Sequence, residues 1–330
     1  MAFRPDDPLL AVVSPPRAER LRALAGIGPD EAVTADFAGW SKLVLLTETR
    51  ALLFPRNHEL VAAFHHEIEA LRVVGAAGLA EIPRVLEVWE EPTLSPYPFA
   101  AVTRLPGTVL EALLAGLDAA AVGRIAAQVG ALAARWHGLD AGPLKRRPRR
   151  DLAHRTGLAD LLGTGEAPPQ PSALVSTLAP KLQWNDTEAE RALAAVQRAR
   201  ALEPVLVHSD LHEGQLLVDP ADGSTVTGIL DWQTARVDHP FTEFDLGEWG
   251  PTIWRRHRAA FPELRRRYWD AYASARGLPA DLSADFEWVW AVSHAVRLTE
   301  SPSHEIDADV LGGVDEAMGR VREATEALPG

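Results

Sequence analysis

Residues 205–219 read VLVHSDLHEGQLLVD. A β-type apolar run, Val205 to Val207, meets a polar cluster and gives way to a second apolar run, Leu216 to Val218. His208, Asp210 and His212 stand at alternate positions between the two runs. A loop so dense in polar groups can bind a metal, take a proton or simply turn.

The residues beyond the loop narrow the choice. Gln215 lies five residues after Asp210, and Asp231 lies 21 residues after it, at the end of the run TGIL. Two strand-terminal carboxylates at this spacing can face one another across a hairpin. Phosphoryl transfer to a hydroxyl needs this pair, one carboxylate near the acceptor and one on magnesium. Two other readings stand beside it. The tetrapeptide SDLH (209–212) is similar to the first metal motif of metallophosphoesterases, but the downstream motifs that would hold a second metal are absent from the sequence. A structural loop, with His208 or His212 satisfied in the core, is the plain alternative.

Composition bounds the function. The chain has 330 residues, 47% hydrophobic and 24% charged, long enough for a large core in two lobes or domains. A formal net charge of −13 argues against nucleic acid as partner and is compatible with a cationic ligand. There is no cysteine, so thiolate chemistry and Cys-based zinc sites are excluded. The start, MAFRPDDPLL, shows no signal peptide, and no apolar stretch is long enough for a membrane span. The expectation is a soluble cytoplasmic protein, monomer or homodimer. Lysine occurs only at Lys42, Lys145 and Lys181, which singles out each of them.

The pattern along the chain predicts a short helix over 17–26 and then two or three strands within 32–56. Leu60, Phe64, Leu71 and Val74 predict a helix over 59–77. IPRVLEVWEE (82–91) and PFAAVTRLPG (98–107) read as two more strands. The rest reads as mostly helical: two helices within 109–139 broken at Gly116, then helices near 187–201, 252–276, 281–299 and 306–326. GPLKRRPRRD (142–151) and GTGEAPPQPS (163–172) read as loops. Glu67 falls inside the apolar stripe of its helix, where a carboxylate is expensive unless paired; a Glu at the stripe's edge is the alternative.

HSDLHEGQLLVD followed by GILDWQTA resembles the aminoglycoside phosphotransferase family, small-molecule kinases whose usual motif is close to HGDLHPGN and then IDW or IDF. The resemblance implies an α+β, bilobal protein-kinase-like fold: an N-lobe over 1–103 with an antiparallel sheet and one helix, and a mainly helical C-lobe over 104–330. It implies a kinase acting on an alcohol group, with Mg2+ and with ATP or GTP as donor. Asp210 is then the catalytic carboxylate and His208 the brace of its loop. Asp231 and Gln215 hold the metal. AGWSK (38–42) is similar to the phosphate-covering turn, which makes Gly39, Ser41 and Lys42 nucleotide-binding residues. Glu67 takes the place of the helix carboxylate that pairs with a phosphate-holding lysine. Ala101 and Thr103, on a hinge running to Arg104, lie beside the base.

The sequence departs from the family pattern in three places. Leu53 stands in LLFPR (52–56) where a Lys or Arg is expected, so Lys42, Arg50 or Arg56 must take that role in an active enzyme. Gln215 replaces Asn, as macrolide phosphotransferases also depart from Asn here. Ser209 replaces Gly. His212 and Glu213 line the site or shape its loop. The segment DHPFTEFDLGEWGPTIW (238–254) carries Asp238, Glu243, Asp245, Glu248 and Trp249 and borders the acceptor pocket. An acidic and aromatic wall suits a large cationic acceptor, an antibiotic of macrolide or aminoglycoside type. A kinase of a sugar, amino sugar or amino alcohol is the second reading, and a pseudokinase without turnover the third.

Overall fold

The computed structural model describes residues 14–36, 39, 41–142, 144, 156–164, 167–243, 261–300 and 314–329. Its first layer is an antiparallel sheet of β1 (Thr34–Asp36), β2 (Lys42–Leu46), β3 (Arg50–Pro55), β4 (Val85–Trp89) and β5 (Phe99–Thr103), in the order β1-β2-β3-β5-β4. Both faces are covered, which is why KLVLL and ALLFP read as unbroken apolar runs instead of alternating ones. Leu43, Leu45, Leu52, Phe54, Phe99 and Ala101 pack on the outer face with Leu21 and Ala25 of helix α1 (Pro15–Ala25). Ala51, Leu53, Ala100 and Val102 face inward, onto Phe64, Ile68 and Leu71 of helix α2 (Val61–Gly75).

Inward packing continues without a break into the helical part. There α3 (Leu110–Leu113) and a 3₁₀ turn ending at Gly116 precede α4 (Ala119–Trp136). Then come α5 (Thr156–Leu162), α6 (Pro171–Lys181), α7 (Asp186–Arg200), α8 (Phe261–Arg276), α9 (Leu282–Glu300) and α10 (Val314–Glu326). The Ala/Gly-rich run of α4 serves close helix packing: a Cβ on Gly130 would lie 2.1 Å from the backbone oxygen of Tyr268 on α8. Trp269, Trp288 and Trp290 are core residues. Among the described residues no helix is long and apolar enough to cross a membrane.

The segment expected to be a plain loop over 163–172 instead ends in a helix start. Pro171 occupies the first turn of α6, where its missing N–H costs nothing, so this proline opens a helix and does not break one. α5 lies in a stretch that showed no strong period. Two short strand sets frame the polar loop 208–215. β7 (Val205–Val207) pairs with β10 (Arg236–Asp238), while β8 (Leu216–Val218) lies between β6 (Thr108–Val109) and β9 (Val226–Ile229).

Candidate active site

The loop 208–215 leaves β7 and enters β8, and the segment 230–235 leaves β9 and enters β10. The two run side by side because their backbones are tied. His208 Nε2 donates to the Leu230 carbonyl at 2.7 Å, and its Nδ1 accepts the Asp210 N–H at 3.3 Å. Thr234 Oγ1 donates to the His208 carbonyl at 3.0 Å, and Leu230 N–H donates to the Gln215 carbonyl at 2.8 Å. Trp232 packs edge-on against the His208 ring, 4.7 Å between centroids. Asp231 itself has φ 62° and ψ 67°, a left-handed turn that Asp tolerates better than most residues. One histidine thus fixes Asp210 and the approach to Asp231 together.

Lys42 reaches this junction from the sheet. Its Nζ donates to Glu67 Oε2 at 2.6 Å and to Asp231 Oδ1 at 2.7 Å. Strand register explains how. Lys42 lies opposite Pro55 and Val44 opposite Leu53, so Lys42 and Leu53 share the inward face, two pairs apart along adjacent strands. Leu53 fills the core against α2, and the ammonium comes from the neighbouring strand. Lys42 and Glu67 are 9% and 2% exposed, so the Glu67 carboxylate on the apolar helix face is indeed paired. Burial opposes the charge on Lys42, but the Glu67 and Asp231 carboxylates outweigh it and its pKa is raised. Burial pushes the Glu67 carboxyl up against the pull of Lys42. The ammonium therefore stays charged across the physiological range.

The other face of Asp231 meets Gln215. The amide nitrogen of Gln215 lies 3.3 Å from Asp231 Oδ2 and 3.2 Å from His212 Nε2. A carboxylate beside an amide offers two hard oxygen ligands once the amide turns its oxygen to the carboxylate, and such a pair suits Mg2+, which takes one or two carboxylates and completes its shell with water and phosphate. Lys42, Glu67, Asp231, Gln215 and His212 form one connected network, joined to Asp210 through His208.

Glu243 belongs to this network, and not to the acceptor wall on which it was expected. It is wholly buried. Its Oε2 accepts Trp136 Nε1–H at 3.0 Å, His137 Nε2–H at 2.9 Å and the His208 backbone N–H at 2.7 Å. Its Oε1 accepts the Ser209 N–H at 3.3 Å. Burial pushes the carboxyl up, but these donors, His137 first, hold its pKa lowered overall. Glu243 is thus the anchor beneath the loop 208–215. Asp238, expected on the same wall, pairs with Arg236 at 2.8 Å. Arg236 also donates to Ser209 Oγ, and Ser209 has φ 67°, the left-handed conformation that its place in a glycine position demands.

The remaining expected residues divide between the junction and the sheet. Ser41 is buried, and its carbonyl accepts the Arg56 N–H at 3.0 Å. Arg56 Nε donates to the Lys42 carbonyl at 3.3 Å, so Arg56 steadies the backbone of Lys42. Gly39 comes within 3.3 Å of that same carbonyl, counted from a Cβ placed on it. Arg50 donates to the Ala25 carbonyl at the end of α1, away from the junction. The Ala101 side chain is enclosed in the outer cluster, on β5 between β3 and β4. Thr103 also spends its groups on the sheet, pairing with Arg84 through its N–H at 2.9 Å and through Oγ1 at 2.9 Å. Glu213 is buried, and its carbonyl accepts the Glu111 N–H at 3.2 Å. Asp245, Glu248 and Trp249 lie outside the described residues.

A family model described as the phosphotransferase enzyme family matches residues 33–284. No curated protein matches the sequence. Among solved structures, the GDP complex of a mutant aminoglycoside 2'-phosphotransferase-IIIa is 14% identical, with 94% of this chain and 100% of that chain covered and a TM-score of 0.51. A Ralstonia eutropha JMP134 protein assigned as an aminoglycoside phosphotransferase is 15% identical, covering 95% of this chain and 99% of that one, with a TM-score of 0.50. At these identities the likeness is one of fold.

Proposed function

We propose, since this chain belongs to the phosphotransferase enzyme family, that it moves the γ-phosphoryl group of ATP or GTP to a hydroxyl of a cationic small molecule, an aminoglycoside or macrolide antibiotic before others. The observation that carries the reading is the junction at which Lys42 binds both Glu67 and Asp231 beside the His208–Gln215 loop. The nucleotide would lie between an N-lobe over 1–103 and a C-lobe over 104–330. Lys42 would carry the positive charge beside its phosphates, held ready by Glu67. Asp231 and Gln215 would hold Mg2+, which neutralises charge on the β- and γ-phosphates. Asp210 would orient the acceptor hydroxyl and take its proton as the new O–P bond forms and the nucleoside diphosphate departs. His208 and Glu243 would keep that loop in place. The net charge of −13 favours a cationic acceptor, and the two fold relatives described as aminoglycoside phosphotransferases support that class.

A direct test is transfer of labelled γ-phosphate, from ATP and from GTP with Mg2+, to a panel of aminoglycosides, macrolides, sugars and amino alcohols. The reading expects a phosphorylated antibiotic, lost in Asp210→Asn while nucleotide still binds. Transfer only to sugars or amino alcohols would turn it into a metabolic kinase. Near-normal transfer by Asp210→Asn would defeat the assigned chemistry.

A further inference from the structure

We propose that His212 is a positioning residue, and that its imidazole decides which face of the Gln215 amide meets Asp231. The proposal rests on the reading of Asp231 and Gln215 as the divalent-cation pair. Nδ1 of His212 accepts the Gly214 N–H at 3.1 Å. A neutral imidazole carries one hydrogen, so with Nδ1 accepting, the hydrogen sits on Nε2. That Nε2–H points at the Gln215 amide nitrogen, 3.2 Å away, which is also a donor. The same amide nitrogen reaches Asp231 Oδ2 at 3.3 Å. Asp231 is served by this orientation, while His212 meets donor with donor.

A half-turn of the amide reverses both contacts. The Nε2–H of His212 then donates to the Gln215 oxygen. That oxygen now faces Asp231 Oδ2, an oxygen against an oxygen. The arrangement is repulsive alone and becomes attractive with a cation between them. Asp231 therefore selects the amide nitrogen, and His212 selects the oxygen that a cation needs. Glutamine has one more rotatable bond than asparagine, so its oxygen has more need of such a hold. The ring is itself held: a Cβ on Gly214 would lie 2.8 Å from His212 Cε1 and 3.0 Å from Nδ1, so glycine there lets the imidazole lie flat against the backbone.

Mn2+ is the probe, titrated by its free-ion electron paramagnetic resonance signal with the full chain and a non-hydrolysable ATP or GTP analogue. His212→Ala should weaken Mn2+ about 10- to 100-fold, as loss of an outer-sphere partner does, and leave metal-free nucleotide binding unchanged. The decisive arm is Gln215→Glu, whose two oxygens are equivalent and need no selection. In that background His212→Ala should leave Mn2+ affinity as it is. An equal loss in both backgrounds would mean that His212 merely shapes the loop, and it would overturn the proposal. So would an unchanged Mn2+ affinity for His212→Ala in the natural background. Asp231→Asn separates the two levels: if it too leaves Mn2+ binding intact, the cation pair is refuted and the proposal falls with it.

Discussion

Replacing Glu243 by glutamine keeps its shape and removes its charge and one acceptor. In the native protein one oxygen serves Trp136, His137 and the His208 backbone, and the other serves the Ser209 N–H. Glutamine can keep its oxygen on the three-donor side, but its NH2 then faces the Ser209 N–H. A hydrogen bond to a charged acceptor is worth about 1 kcal/mol more than one to a neutral acceptor, and a stranded buried N–H costs about 1–3 kcal/mol. Relief from burying a charge offsets part of the sum, which leaves a net loss of about 3–5 kcal/mol. The pH dependence derives from the lowered pKa of Glu243. A carboxyl whose pKa is lowered by folding contributes stability above its unfolded value, and that stability is lost as pH falls through the folded value. Urea denaturation over a pH series should therefore show the full gap between the native protein and Glu243→Gln at pH near 7, closing in acid. A gap below about 0.5 kcal/mol, the range of ordinary surface changes, or one that does not move with pH, would refute the anchoring role.

His239 should govern the mildly acidic range. Burial lowers its pKa from 6.5 to about 4, so the unfolded chain takes up a proton that the fold refuses. Stability should fall by about 3 kcal/mol between pH 6.5 and 4 from this group alone. A urea series on His239→Gln should lack that share, and an unchanged slope would count against it. Ser209 combines left-handed strain with hydrogen bonds to Arg236 and the Thr234 carbonyl. Ser209→Ala should lose about 2 kcal/mol, whereas Ser209→Gly regains about 1 kcal/mol by relieving the strain. Equal melting temperatures for the two variants would rule out strain at this position.

Much of the site was legible because its residues break local rules. Asp210, Gln215 and Asp231 interrupt strand patterns at a telling spacing, and Glu67 sits on an apolar stripe. The absence of a cation at Leu53 pointed to Lys42, the residue that opens β2. What could not be read was register: only strand pairing shows that Lys42 and Leu53 share a face. Glu243 was misplaced for a related reason. A carboxylate 35 residues beyond His208 carries no mark in sequence of being buried beneath it. Which face Ala101 turns to was not readable either, because both sheet faces are apolar and no alternation marks the direction of its side chain.

Moving the lysine tests most directly whether Lys42 supplies the phosphate-holding charge. Lys42→Met should lower kcat/KM for phosphoryl transfer by about 10²–10³, the scale of losing one preorganised charge-stabilising group. Adding Leu53→Lys to that variant returns an ammonium to the same face of the sheet, two pairs along the adjacent strand and on the side packed against the helix that carries Glu67. The double variant should recover a large part of the lost rate, while Leu53→Lys alone, which crowds a second cation beside Lys42, recovers nothing and loses activity. A Lys42→Met protein with near-native kcat/KM would contradict the role assigned to this lysine.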